Sequence, residues 1–213
     1  MGSGNKPRDG GHLSDLTLEE AEEIRATDQI AAKYLRELVG AKELLNKPQA
    51  RFCLWLVDCP PGEIRNSKIL KARVEKVLRE RLSATSSKGA AANRPAVFET
   101  ITQPDSKFIA VPSVSSSKGD YVPVDFLDAE TIINNHIFSV ITDDVAVFSL
   151  LENSTFTTWV RVFSSRMKSD YMLAASTVYN TSLFFNFLIP SARNYVLQDK
   201  QSWMKEKSTQ TKL

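Results

Sequence analysis

Leu70, Val74, Val77, Leu78 and Leu82 fall at helical spacing within Glu63 to Leu82, and the basic residues of that stretch lie mostly off the apolar face. A helix of this kind must lay its apolar stripe on another layer, so the rest of the chain has to supply one. Its other side is cationic. Residues 63–96 hold nine basic residues, Arg65, Lys68, Lys71, Arg73, Lys76, Arg79, Arg81, Lys88 and Arg94, against three acidic ones. The segments before and after each carry a net −2, so a formal charge of +2 over 213 residues conceals one basic stretch. Phosphate binding calls for such a stripe, because each neutralised phosphate releases condensed counterions. A solvated helix face opposite a core stripe uses the same residues, and charge alone leaves both readings open.

The second layer has to come from short apolar runs. Phe52 to Val57 is a continuous run of strand formers ended by Asp58-Cys59-Pro60-Pro61-Gly62, which predicts a buried strand and a turn. Phe108 to Val114 and Tyr121 to Leu127 predict a hairpin whose tip, Ser115 to Asp120, is polar and basic. Ile132 to Leu151 predicts two more strands around an Asp143-Asp144 turn. Thr17 and Asp28 are placed to cap a helix over Leu18 to Leu38 that breaks near Thr27-Asp28, with Ile30, Tyr34 and Leu38 sharing a face. Asn153 or Ser154 caps another through Phe163, with Phe156, Trp159, Val160 and Phe163 on one side. Residues 1–12, with Gly2, Gly4, Pro7, Gly10 and Gly11, read as a loop that would need a partner surface to be ordered, and Ser83 to Asn93 as a second loop. Helices and strands do not alternate as repeated βαβ units. The fold class expected is α+β, a mixture of mainly antiparallel strands with flanking helices.

Several function classes fall away. Hydrophobic residues make up 42% of the chain and charged residues 24%, which excludes a histone-like polycation and argues against wholesale disorder. Cys53, Cys59, His12 and His136 cannot build a disulfide framework or a four-thiolate zinc site, and they fit a reducing, cytosolic setting. Asp143 and Asp144 split the longest apolar region, so no membrane partner is expected, and no signal peptide pattern opens the chain. P-loop, G-x-G-x-x-G, H-E-x-x-H and G-x-S-x-G signatures do not occur, and no catalytic or metal site is visible. Asp58-Cys59-Pro60-Pro61 resembles the Asp/Asn-Pro-Pro-aromatic motif of amino-methyltransferases, but Cys59 intervenes and Gly62 stands where the aromatic ring should stack. Cys59 reads as a structural thiol, and Trp55 and Trp159 read as core residues.

Gly4-Asn5-Lys6-Pro7-Arg8-Asp9-Gly10-Gly11-His12-Leu13 resembles the G-x-K/M-P-x-D-G-G-x-L opening of the target recognition domain of MmeI-like, single-chain restriction and modification enzymes. Further matches follow in order: Leu54-Trp55-Leu56-Val57-Asp58, the basic helix through Arg81, Val111-Pro112-Ser113-Val114-Ser115-Ser116, Tyr121-Val122-Pro123-Val124, Trp159-Val160-Arg161, Lys168-Ser169-Asp170-Tyr171 and Val178-Tyr179-Asn180. The resemblance covers about residues 4–181 and departs after Asn180, where a short Phe-Pro-aromatic-Pro ending is expected. It implies a Gly-rich N-terminal segment over 1–16 and a target recognition domain over 17–190; residues 191–213, with Lys200, Lys205, Lys207 and Lys212 and few apolar anchors, read as a flexible basic tail. It also implies a fragment of a prokaryotic, cytoplasmic enzyme, because in that family the domain follows an adenine-N6 methyltransferase domain using S-adenosylmethionine, itself preceded by a nuclease domain. No catalysis and no cofactor are then expected of these residues, the partners being double-stranded DNA and a methyltransferase domain or subunit. Surface left bare by missing neighbours would favour weak self-association. A remnant that only docks onto a separate methyltransferase subunit, and a small complete methyltransferase, are the competing readings.

On an extended segment Lys168 and Asp170 would share one face, with Ser169 and Tyr171 on the other. A lysine donor beside a carboxylate acceptor matches a G·C pair, whose guanine presents O6 and N7 and whose cytosine presents an N4 amino group. A surface salt bridge between the two would be the plain alternative. The resemblance implies base readout here, by Lys168 and Asp170, with Met172 next on that face. Arg65, Lys68, Lys71, Lys76, Arg79 and Lys88, with Ser115, Ser116 and Lys118 at the hairpin tip, are the expected phosphate contacts. Arg161 is expected to be either a further phosphate ligand or a structural ion-pair partner.

Overall fold

The computed structural model describes residues 1–46, 50–83, 92–179 and 181. In chain order it runs β1 (Gly2–Ser3), α1 (Leu18–Thr27), α2 (Gln29–Ala32), β2 (Leu35–Val39), α3 (Ala41–Asn46), β3 (Arg51–Leu54), α4 (Pro61–Asn66) and α5 (Lys68–Ser83). There follow β4 (Phe108–Pro112), β5 (Val114–Ser115), β6 (Asp125–Leu127), β7 (Ile132–Ile133), β8 (Ile137–Val140), α6 (Val145–Leu151), α7 (Ser154–Phe163), β9 (Ser165–Met167) and β10 (Asp170–Met172). A π-helical turn, Ala175–Tyr179, closes the described chain. The architecture is α+β, as expected. Among the described residues the strands form three small sheets ordered β1-β8-β4-β6, β5-β10-β9 and β3-β2-β7, antiparallel except for β2 beside β7.

The basic helix sits on the layer it needs. Leu70 and Val77 of α5 are buried with Leu13, Leu16, Ala21, Ile24, Leu54 and Phe98 in one core. Leu82 is 55% exposed instead of packed, because each four-residue step rotates about 40° round the helix and carries it toward the basic side. The helix is also not continuous with residues 63–66. Ser67 interrupts it, accepting from the Leu70 N–H at 3.0 Å through its hydroxyl, which donates to Asp28 at 2.6 Å.

A second core joins Ile109 and Val111 of β4 to Val140, Val147, Leu151, Phe156, Val160 and Tyr171. Phe108 and Ala110, on the other side of β4, pack with Val39, Leu44, Ile133 and Ile137, so this strand is covered on both faces. Among the described residues no helix is long and apolar enough to cross a membrane.

Four expectations are corrected. The helix expected over Leu18–Leu38 ends at Ala32, and Leu35–Val39 is instead the central strand β2, paired through Arg36↔Cys53 to β3 and Leu38↔Ile132 to β7. Its helical spacing of Ile30, Tyr34 and Leu38 is overridden by these distant pairings. After Asp144 comes helix α6, since the Asp144 carboxylate accepts from the Ala146 N–H at 2.8 Å and caps it. The expected hairpin does pair β4 with β6, but its connection is not a free tip, because β5 leaves it to pair with β10.

The fourth concerns the N-terminal residues, whose partner surface is the chain itself. Gly2 and Ser3 pair with β8, Asn5 is fully buried, and a Cβ on Gly4 would stand 2.2 Å from the Asn134 carbonyl oxygen. Asp9 gathers the Gly-Gly turn by accepting from the N–H groups of Gly11, Leu13 and Ser14 at 2.6–3.0 Å and from the Ser14 hydroxyl at 2.9 Å. Gly10 and Gly11 adopt φ of +63° and +80°, which glycine tolerates without strain.

Candidate nucleic-acid interface

Lys168 and Ser169 are the two-residue turn of a hairpin made by β9 and β10, with Asp170 opposite Met167, Tyr171 opposite Arg166 and Met172 opposite Ser165. The extended segment expected here is therefore bent back on itself. Lys168 has φ of +57°, in the left-handed region, and stands at the exposed tip instead of alternating along a strand with Asp170. Tyr171 points inward and is buried against the second core, while Asp170 and Met172 share the opposite, outward face. Met167 and Ser165 lie on that same face, since directly paired residues of an antiparallel ladder do. Among the described residues the side chains of Lys168 and Asp170 make neither an ion pair nor a hydrogen bond, so the salt bridge that would give this pair a plain structural role is absent. A donor and an acceptor stand open to a ligand on one ribbon tip.

The phosphate candidates separate into two groups. On α5, Lys68, Lys71, Lys76 and Arg79 are exposed, and Arg65 is exposed at the end of α4. Their neighbours in sequence behave differently. Arg73 donates to the His12 carbonyl and to Glu20, each at 2.9 Å, and Arg81 is buried at 2% exposure. Near the hairpin, Ser116 and Lys118 are exposed, and Arg161 of α7 donates to the Gly119 carbonyl at 3.0 Å. Arg161 thus joins the loop that carries Lys118. Ser115, expected to reach a phosphate, is 3% exposed and paired with Tyr171, so its hydroxyl is closed to a duplex. Lys88 lies outside the described residues, as does the tail at 191–213.

Sequence reasoning missed Arg166 and Met167, which flank the turn on the exposed edge strand β9. The Arg166 guanidinium lies 4.7 Å from the centre of the Tyr171 ring. The signal that would have found them is the hairpin itself, but a Lys-Ser turn lacks the Asn-Gly or Gly-containing chemistry that marks two-residue loops. Trp55 and Trp159 pack against the cores as expected, Trp55 edge-on to Phe98 at 5.3 Å and Trp159 donating its indole N–H to the Val178 carbonyl at 3.0 Å.

Neither thiol is poised for nucleophilic attack. Burial pushes Cys53 up to about 12, and burial likewise raises Cys59 against the opposing hydrogen bond from Tyr34. The turn after β3 ends in Pro60-Pro61, with Pro61 opening α4. Among the described residues no group of three or more His, Cys, Asp or Glu could hold a metal.

A family model described as "MmeI, target recognition domain" matches residues 1–186. The chain belongs to that family. The match takes in both the β9–β10 hairpin and the basic helix. A solved structure of the Type IIL restriction-modification enzyme MmeI in complex with DNA superposes on this MmeI-type domain with a TM-score of 0.79 at 34% identity, covering 84% of this chain and 24% of that one. DNA methyltransferase A of Bacillus subtilis (strain 168) is 28% identical over 180 residues, which is 84% of this chain and 20% of that protein. The chain therefore spans a fifth to a quarter of these relatives and is homologous to one part of a DNA methyltransferase.

Proposed function

We propose that this target recognition domain reads double-stranded DNA by inserting the β9–β10 hairpin into the major groove, which is wide enough for a two-stranded ribbon. The observation that carries this reading is the pair Lys168 and Asp170, unpartnered at the turn of a hairpin whose outer strand β9 is exposed along its length. Lys168 donates to guanine O6 or N7, Asp170 accepts from cytosine N4, and Met172 extends the contact along the outward face. Arg65, Lys68, Lys71, Lys76 and Arg79, with Ser116, Lys118 and Arg161, hold the sugar-phosphate backbones and set register without reading sequence. The domain is not catalytic by itself. It serves a site-specific adenine methyltransferase in the prokaryotic cytoplasm, whose own domain binds S-adenosylmethionine. Exposed Val162 and Phe163 on α7 support contact with that neighbouring domain, and weak self-association in its absence.

Selection from randomised duplexes at low salt tests the reading. The expected result is an enriched motif containing a G·C pair, with Lys168→Ala or Asp170→Ala costing roughly 1–3 kcal/mol at that one position. Base preference unchanged by both variants would remove the assignment of Lys168 and Asp170, and an absence of any enrichment would remove the DNA reading itself.

A further inference from the structure

The outward face of the readout hairpin carries more than a donor and an acceptor. Met167 is 50% exposed and Met172 40% exposed, two large apolar side chains left open on the described surface. They lie on opposite strands of the ribbon. Met167 is directly opposite Asp170, and Met172 follows Asp170 by two residues, so the two methionines are diagonal neighbours on one face. Such diagonal neighbours stand about 7–8 Å apart, somewhat less between Cβ atoms, within reach of long unbranched side chains. Val114, paired with Met172 from β5, continues the apolar line across the third strand of the sheet. Asp170 therefore sits beside an apolar stripe next to a turn that carries Lys168, while Arg166 lies on the opposite face over the Tyr171 ring. Edge strands ordinarily carry charge to avoid pairing with other chains, so an open methionine on the edge strand β9, beside a second on β10, needs an apolar occupant that the charge of Lys168 at the turn tolerates. In a major groove the apolar group that meets these conditions is the C5-methyl of thymine, held between phosphate-lined walls.

We propose that Met167, together with Met172, reads the C5-methyl of a thymine adjacent to the G·C pair addressed by Lys168 and Asp170. The inference rests on the DNA-recognition reading above and adds a specificity-determining residue and a base class to it. Flexible thioether side chains suit this contact, because they shape themselves to a small apolar group without a hydrogen bond to satisfy.

The test uses the full chain and the duplex enriched by selection, with each thymine replaced in turn by uracil, which deletes only the methyl group. One replacement next to the G·C pair should weaken binding about fourfold, the loss that burial of a single methyl group is worth. In Met167→Gln that penalty should vanish while the preference for the G·C pair persists, and Met167→Leu should retain it. A site without a thymine beside the G·C pair, or uracil tolerated at every position, overturns the inference and leaves the Lys168 and Asp170 reading intact. A chain that enriches no motif overturns both. Dimerisation that Met167→Gln abolishes, with the uracil response unchanged, would reassign the stripe to contact between copies of the chain.

Discussion

Arg81 shows how far a cation's role is set by what lies above it. Its guanidinium donates to the carbonyls of Arg8, Pro7, Arg94 and Val97 at 2.8–3.0 Å, tying the N-terminal segment and the turns over residues 94–97 onto α5. Burial lowers its affinity for the proton, and the charges of Asp9 and Glu99 oppose that shift, so the group stays ionised in the interior. Arg81→Met would leave several buried carbonyls without a donor. A loss of at least about 3 kcal/mol in urea unfolding is expected. Lys68→Ala, on the exposed side of the same helix, should stay within about 0.5 kcal/mol.

At the scale of elements, one carboxylate organises two helices. Asp28 accepts from the Ile30 and Ala31 N–H groups at 3.0–3.1 Å, capping α2, and from the Ser67 hydroxyl that in turn caps α5. Burial pulls its carboxyl upward, but the Ser67 hydroxyl and the backbone donors outweigh that pull and leave it below the ordinary carboxylate value. A depressed folded-state value means the stabilisation is fully present above the unfolded value of 3.8 and is lost as pH falls through the folded one. Asp28→Ala should cost about 1–2 kcal/mol at pH 7, a typical cap loss. The gap between variant and parent in urea midpoints should close at pH values below the folded-state titration, and a gap that is independent of pH would contradict the assignment. Thr17, the cap expected from the sequence, forms with Glu20 a reciprocal capping box at the start of α1.

For the whole molecule the question is which cations meet phosphate. The exposed side of α5 offers Lys68, Lys71, Lys76 and Arg79, while Arg73 is engaged with Glu20 and the His12 carbonyl. Alanine at Lys71 or Arg79 should reduce the slope of log affinity against log salt by about 1 and weaken binding evenly across sequences. Arg73→Ala should lower stability and leave the slope alone. A slope measured over a salt series for these three variants separates a phosphate-binding face from a merely solvated one.

The caps, the apolar stripe of α5, the α+β class and the family-like motif could all be read from the chain, because each depends on neighbours within a few residues or on local residue type. Thr17, Asp28 and Asn153 cap as their positions imply. Strand pairing over long separations was not legible: β2 displaced a plausible helix, β5 took Ser115 into a sheet with β10, and Lys168 became a turn residue. Burial of Arg81 and exposure of Lys71 likewise depend on which segments fold over α5. Local periodicity reports the faces an element possesses. Only the closure of distant strands and loops decides which of those faces is covered, and hence which donors and acceptors are left for a partner.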